Sequence, residues 1–291
     1  MSMDSLPEEL SRSATLSASS GALPLTPLQR QEIVSAAQTF VQRAFAAHDP
    51  SHDYHHINRV HLLALALTRS PELPPLDMLV VELGALFHDL TDAKYTSSST
   101  TPSSVLAPFW SSLPLRPSPE QIALVEKIVG NVSWSKDVRR RAQAVEHLSA
   151  ADLALREWLS SCKEFWCVSD ADRLDSIGSI GVMRCAAYSA KCNRPLYVPP
   201  NNAQMDPKPP AEQAEGYNGS AIAHFYEKLL NIKHDRLYTQ AARIEADRRQ
   251  KAMRSFMQEL DLEWMVAAQG AELAKLEQQQ RDQDSAQPDL Q

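Results

Sequence analysis

Apolar residues along this chain recur at spacings of three and four far more often than they alternate, the signature of helices with one buried stripe. The first helix is expected to open at Thr26-Pro27, where threonine can cap and proline is tolerated in the first turn. It runs to about Ala47 and stops at His48-Asp49-Pro50. The second covers about 55–69, with Val60, Leu63, Ala64 and Leu67 as its stripe and Pro71, Pro74 and Pro75 beyond it. A third, from about Leu76 to Asp92, sets Val80, Leu83, Phe87 and Leu90 on one face. Residues 96–119 are rich in serine, threonine and proline and read as a loop around a short apolar piece, Val105 to Trp110. Helices at about 119–131 and 136–160 follow, and another opens near Asp170 and continues to about Ala190. The last two are expected at about 220–233 and 237–270.

Periodicity fails in three places. Residues 1–24 are serine-rich and read as disordered. Residues 193–219 hold Pro195, Pro199, Pro200, Pro207, Pro209 and Pro210 and read as a long loop or lid. Residues 273–291, rich in glutamine and aspartate, read as a flexible tail. The expectation is an all-α protein with one helical domain over 25–272.

Composition narrows the function. Only 8 glycines and 43% hydrophobic residues suit a helical globule with a sizeable core. A net charge of -7, with Arg139-Arg140-Arg141 as the one short basic run, counts against an extended nucleic-acid footprint. A small phosphorylated molecule remains compatible. Cys162, Cys167, Cys185 and Cys192 show no C-x-x-C spacing, so reduced thiols in the cytoplasm, or the nucleus, are expected. Acidic Asp4, Glu8 and Glu9 argue against a signal or transit peptide, and no stretch approaches the roughly 20 apolar residues of a membrane span.

Three polar groups interrupt the apolar stripes. His56 lies one turn before Val60 and projects from the core-facing side; alone, it could be a core histidine bonded to a carbonyl. His88-Asp89 sits inside a strongly apolar run, with Asp92 one turn further on the same side. A buried carboxylate is costly unless paired or bound to a cation, although polar residues at a helix C-terminus are the plainer alternative. Asp170, Asp172 and Asp175 arrive at an expected helix start, where acids cap and complement the dipole. As a set, imidazoles and carboxylates without a thiol suit one divalent transition metal.

The order His56 … His88-Asp89 … Asp172 resembles the H…HD…D signature of the HD superfamily of metal-dependent phosphohydrolases. The likeness extends to His-Asp-x-x-His-x-x-Arg-Val at 52–60, Ala-Leu-Phe-His-Asp at 85–89, Asp-Ala-Asp-Arg-Leu-Asp-x-Ile-Gly at 170–178 and His-Phe-Tyr-Glu-Lys-Leu at 224–229. These four blocks are similar to those of small bacterial HD nucleotide pyrophosphohydrolases. The segments 134–167 and 193–219 are longer than that subgroup's, which bears on substrate identity.

The resemblance implies an HD-type helical bundle whose metal is held by His56, His88, Asp89 and Asp172. Manganese is the first expectation, with cobalt, nickel, iron or zinc as alternatives. It implies Asp92 as the acid that orients or activates water. Arg59 and Lys94 are candidate phosphate clamps, with solvated surface cations as the alternative. His224 and Lys228, four apart on one helix face, are candidate substrate contacts on a block that could equally be a packing helix. Arg173 is a further substrate candidate, a structural ion pair being as good a reading. The activity implied is nucleotide (pyro)phosphohydrolysis; the alternative is a non-catalytic HD scaffold that senses a nucleotide or metal. No membrane partner is expected, and a homo-oligomer is left open.

Overall fold

The computed structural model describes residues 25–91, 100–198 and 220–286. Among them are eleven α-helices and no strand, as the spacing predicts. They are α1 (Pro27–Ala44), α2 (Tyr54–Leu67), α3 (Met78–Phe87), α4 (Pro102–Ser112), α5 (Pro119–Val129), α6 (Trp134–Ala142), α7 (Ala150–Ser161), α8 (Lys163–Asp175), α9 (Gly178–Lys191), α10 (Ala221–Glu227) and α11 (Gln240–Ala286). None is long and apolar enough to cross a membrane.

The core is built around α3. Eight of its residues, from Leu79 to Phe87, are buried, on every side of the helix. A helix apolar all round belongs in an interior, and α3 packs against α1, α2, α5 and α8. Gly84 permits the closest of these approaches. A Cβ there would stand 3.2 Å from Ile128 Cγ2 on α5 and 3.3 Å from Val168 Cγ2 on α8. At its C-terminal end Phe87 packs edge-on against Phe109 and Trp110 of α4 at 5.1 and 5.8 Å.

Several expected boundaries move. Val105–Trp110 belongs to a regular helix, α4, because Thr101 and Ser104 form a reciprocal cap and Pro102 sits in the first turn. The expected helix at 136–160 is two, α6 and α7; Ser149 and Asp152 form a capping box that starts the second. The expected helix from Asp170 to Ala190 is also two. It breaks at Ser176-Ile177-Gly178, where Gly178 takes φ +76 and the bare glycine lies against the Arg249 side chain of α11. The acids at 170–175 therefore end α8 rather than start a helix. Finally, α11 runs to Ala286, well past the expected end near 270, so most of the residues read as a flexible tail are helical.

Asp170 shows why that matters. Its side chain caps α11, accepting from Tyr238 N at 3.0 Å, Thr239 N at 2.7 Å and Thr239 Oγ1 at 2.9 Å. Thr239 Oγ1 in turn accepts from Ala242 N in the first turn of α11. Burial pushes the Asp170 carboxyl up to about 6 in spite of these donors. Asp170→Ala leaves three buried donors without an acceptor. It should cost on the order of 3 kcal/mol in urea unfolding, with Asp170→Asn intermediate. A loss within error of zero would mean that α11 is anchored by its apolar contacts alone.

A candidate metal centre between α2, α3 and α8

Local sequence delivers each side chain. Asp53 caps α2 by accepting from His56 N at 3.0 Å, which fixes His56 in the first turn with its ring fully buried. α3 ends at Phe87, so His88 and Asp89 stand in the turn just beyond the central helix. Asp172 and Asp175 are three apart on α8 and share the face that packs on α2.

These elements bring His56, His88 and Asp172 together as one group of possible ligand atoms, with Asp89 beside the two histidines. His56 Nε2 is 3.2 Å from His88 Nε2, 3.2 Å from Asp89 Oδ2 and 4.0 Å from Asp172 Oδ1. His88 Nε2 lies 3.5 Å from Asp89 Oδ1 and 3.7 Å from Asp172 Oδ1. Ligand atoms each about 2.1 Å from one ion stand roughly 3–4 Å apart, so the spacing suits a single cation.

The tautomers agree. His88 Nδ1 donates to the Ala85 carbonyl at 2.8 Å, and His56 Nδ1 donates to Asp175 Oδ2 at 2.8 Å. With Nδ1 engaged on each ring, both Nε2 atoms face the same point, alongside two carboxylates. In the neutral form of both rings, each Nε2 would present a lone pair there, a donor set that fits a divalent metal ion.

Electrostatics without the ion point the same way. Burial would raise the Asp89 carboxyl, but the imidazoles of His88 and His56 hold it well below the usual carboxylate range. Burial and the Arg184 charge pull His56 down; hydrogen bonds to Asp175 and Asp89 outweigh them and raise it. The site draws in positive charge.

Asp175 holds the arrangement from behind. Besides His56, its carboxylate accepts from Arg59 Nε at 2.8 Å, Arg59 Nη2 at 3.0 Å and Arg184 Nη1 at 3.1 Å. Arg59, expected as a phosphate clamp, directs its fork onto Asp175 and so acts through His56. Asp175, read in the sequence as a helix cap, is instead the partner of a proposed ligand. Its three-residue offset from Asp172 was the available signal.

The remaining expected residues divide. Asp92 and Lys94 lie outside the described residues. His224 and Lys228 reach a small open cleft, with about 50 Å³ of room for water-sized groups, that is also lined by Ser51, His52, Arg184 and Tyr188. The cleft adjoins the metal centre through His52, whose ring centroid is 6.0 Å from that of His56, and through Arg184 on Asp175. Arg184 and Tyr188, contributed by α9, are not visible in any local pattern. Arg173 does not line this cleft: it is 2% exposed, hydrogen-bonded to Ser169 and paired with Asp137 at 3.4 Å. Its placement is that of the structural ion pair, the other reading of the sequence, away from this cleft.

A helical scaffold with two histidines and two aspartates converging behind its central helix is the HD-hydrolase arrangement. No family model matches the chain. Bacillus subtilis YpgQ is 30% identical over 233 residues, covering 79% of this chain and 94% of that protein. The crystal structure of YpgQ in complex with ADP aligns with a TM-score of 0.54 at 25% identity, over 79% of this chain and 97% of that one. An HD-superfamily hydrolase of Bacillus thuringiensis aligns with a TM-score of 0.54 at 26% identity, over 81% and 98%. The chain belongs to the HD superfamily of metal-dependent phosphohydrolases, in the same family as YpgQ.

Asp175 also sets a pH signature. Burial opposes its charge, but His56, Arg59 and Arg184 hold its carboxyl down to about 2. A folded pKa below the unfolded value of about 3.9 contributes stability that is complete above that value and lost as pH falls through the folded one. In metal-stripped protein, wild type should lose roughly 2 kcal/mol more than Asp175→Asn between pH 5 and pH 2, by urea unfolding. Equal losses would show that the ionised carboxylate contributes nothing.

Proposed function

We propose that this protein hydrolyses a small phosphorylated substrate with the help of one divalent transition metal, a nucleotide phosphoanhydride being the favoured bond. One observation carries the reading: His56, His88 and Asp172 converge, with Asp89 beside the histidines, next to a cleft lined by cationic side chains. Acceptors select a cation, and the cations of the cleft select an anion. His56, His88, Asp89 and Asp172 would hold the metal; manganese, cobalt, nickel, iron and zinc all accept this ligand set. Such an ion supplies a water of lowered pKa and a polarised phosphoryl group.

The chain's own groups account for the rest. Arg184 and Lys228 neutralise charge on the non-bridging phosphate oxygens, and His52 and His224 supply ring nitrogens along the same wall. Tyr188 offers an aromatic face to an apolar or base moiety. Arg59 positions His56 through Asp175. Asp92 is assigned as the acid that orients the attacking water and Lys94 as a phosphate contact, on the strength of the HD motif. ADP bound to the related YpgQ supports a nucleotide as the ligand of this cleft.

Phosphate and pyrophosphate release should be followed on a nucleotide panel, with metal-stripped protein resupplied with each metal in turn. Turnover should return with metal and vanish in Asp89→Ala together with metal binding. Asp92→Ala should keep the metal and lose about two powers of ten in rate. Lys228→Ala should raise KM about tenfold with little change in kcat. Tight metal binding without turnover on any nucleotide would exclude nucleotides as substrates. Wild-type rates in Asp92→Ala would remove that residue from the mechanism.

A further inference from the structure

A second concentration of charge lies about 100° round α8 from Asp172, where Arg173 projects toward α6 and the turn before α11. Its centre is Asp137 of α6, a carboxylate with 5% of its side chain exposed. Three guanidinium groups crowd one oxygen, Asp137 Oδ2: Arg141 Nε at 3.0 Å, Arg173 Nη2 at 3.4 Å and Arg236 Nη1 at 3.6 Å. Arg140, from the same turn of α6, is fixed alongside by hydrogen bonds to Asn131 Oδ1 and O, both at 3.1 Å. The Trp134 ring supports the group from beneath, 5.9 Å from Arg173 Cζ and 5.5 Å from Arg236 Cζ.

One carboxylate does not satisfy this set. Two buried guanidinium nitrogens, Arg140 Nε and Arg173 Nε, have no hydrogen-bond partner, and Arg173 Nη2 and Arg236 Nη1 have only the long ion pair to Asp137 Oδ2. The other acids engaged are Asp235, exposed and 3.4 Å from Arg236 Nε, and Asp170, whose charge Arg173 favours, so four cations face three carboxylates. Arg173 is 98% enclosed, which removes water as a general source of acceptors. Burial, then the like charges of Arg173 and Arg141, push the Arg140 pKa below its ordinary value despite Asp137. Buried guanidinium groups with unmet donors and an excess of positive charge match one chemistry: an oxyanion with several acceptor oxygens. Access is open on the side of Arg141 and Arg236, whose side chains are 39% and 24% exposed.

We propose that Arg140, Arg141, Arg173 and Arg236 form a binding site for a phosphate-type oxyanion, distinct from the metal centre and held in shape by Asp137. The oxyanion comes either from free phosphate or pyrophosphate, or from the phosphate tail of a nucleotide. The site is independent of the metal, so it is tested on the metal-stripped full chain and does not depend on turnover.

Inorganic phosphate and pyrophosphate should be titrated into that protein by calorimetry, at low and high salt. Saturable binding that weakens with salt is expected, as is at least a tenfold loss of affinity in Arg236→Gln and in Arg141→Gln. Arg236→Lys, which keeps the charge and loses the fork, should fall between. Competition with a nucleotide would assign the site to the substrate's tail, and binding without competition to the free anion. Absence of saturable binding of either anion, or binding unchanged in both glutamine variants, would overturn the proposal.

Discussion

The rest of the structure depends on a fully buried imidazole with an acid on each side. His56 Nδ1 donates to Asp175 and its Nε2 looks toward Asp89, Asp172 and His88. A ring so enclosed keeps one tautomer only while Asp175 stays ionised and in place. That is the task of Arg59 and Arg184, which approach the carboxylate from α2 and α9. Arg184 also donates to the Ser51 carbonyl, so the same guanidinium ties α9 to the segment that precedes α2. One ion-paired carboxylate therefore joins three elements and aims a lone pair.

The apolar architecture serves that geometry. α3 is buried on all sides, and a helix without a solvent face has little freedom to rotate or slide. Its last turn delivers His88 and Asp89 at a defined depth, with Gly84 admitting α5 and α8 close enough to bring Asp172 across. α8 carries three functions on three faces: Asp172 and Asp175 toward the metal centre, Asp170 toward the start of α11, and Arg173 toward α6. A helix presents such divergent directions over six consecutive residues because successive side chains are about 100° apart.

The two cationic regions differ in character. In the cleft, Arg184 and Lys228 sit beside an open volume, where a phosphate would meet them from solvent. Around Asp137 the guanidinium groups are packed against the Trp134 ring and one another, open to solvent only on the side of Arg141 and Arg236. In an acidic chain of net charge -7, both concentrate positive potential locally where the overall field repels anions.

The amino-acid sequence by itself determined the helical class and the capping site at Thr26. Through its resemblance to the H…HD…D signature of the HD superfamily, it also picked out His56, His88, Asp89 and Asp172, which the fold sets side by side. Helix period and local capping act within a few residues, so they are legible in one dimension. What only the tertiary structure decided lies between elements. Asp170 and Asp175 have the same local setting, yet one caps α11 across 69 positions and the other grips His56 across 119. Arg173 belongs to the motif block but faces Asp137, while Arg184, outside every block, reaches Asp175. The break at Gly178 separates α8 from α9 and turns Arg184 back toward the site, a direction set by packing against α11. Side-chain partners at such separations follow from how helices pack, and helical periodicity carries no record of that.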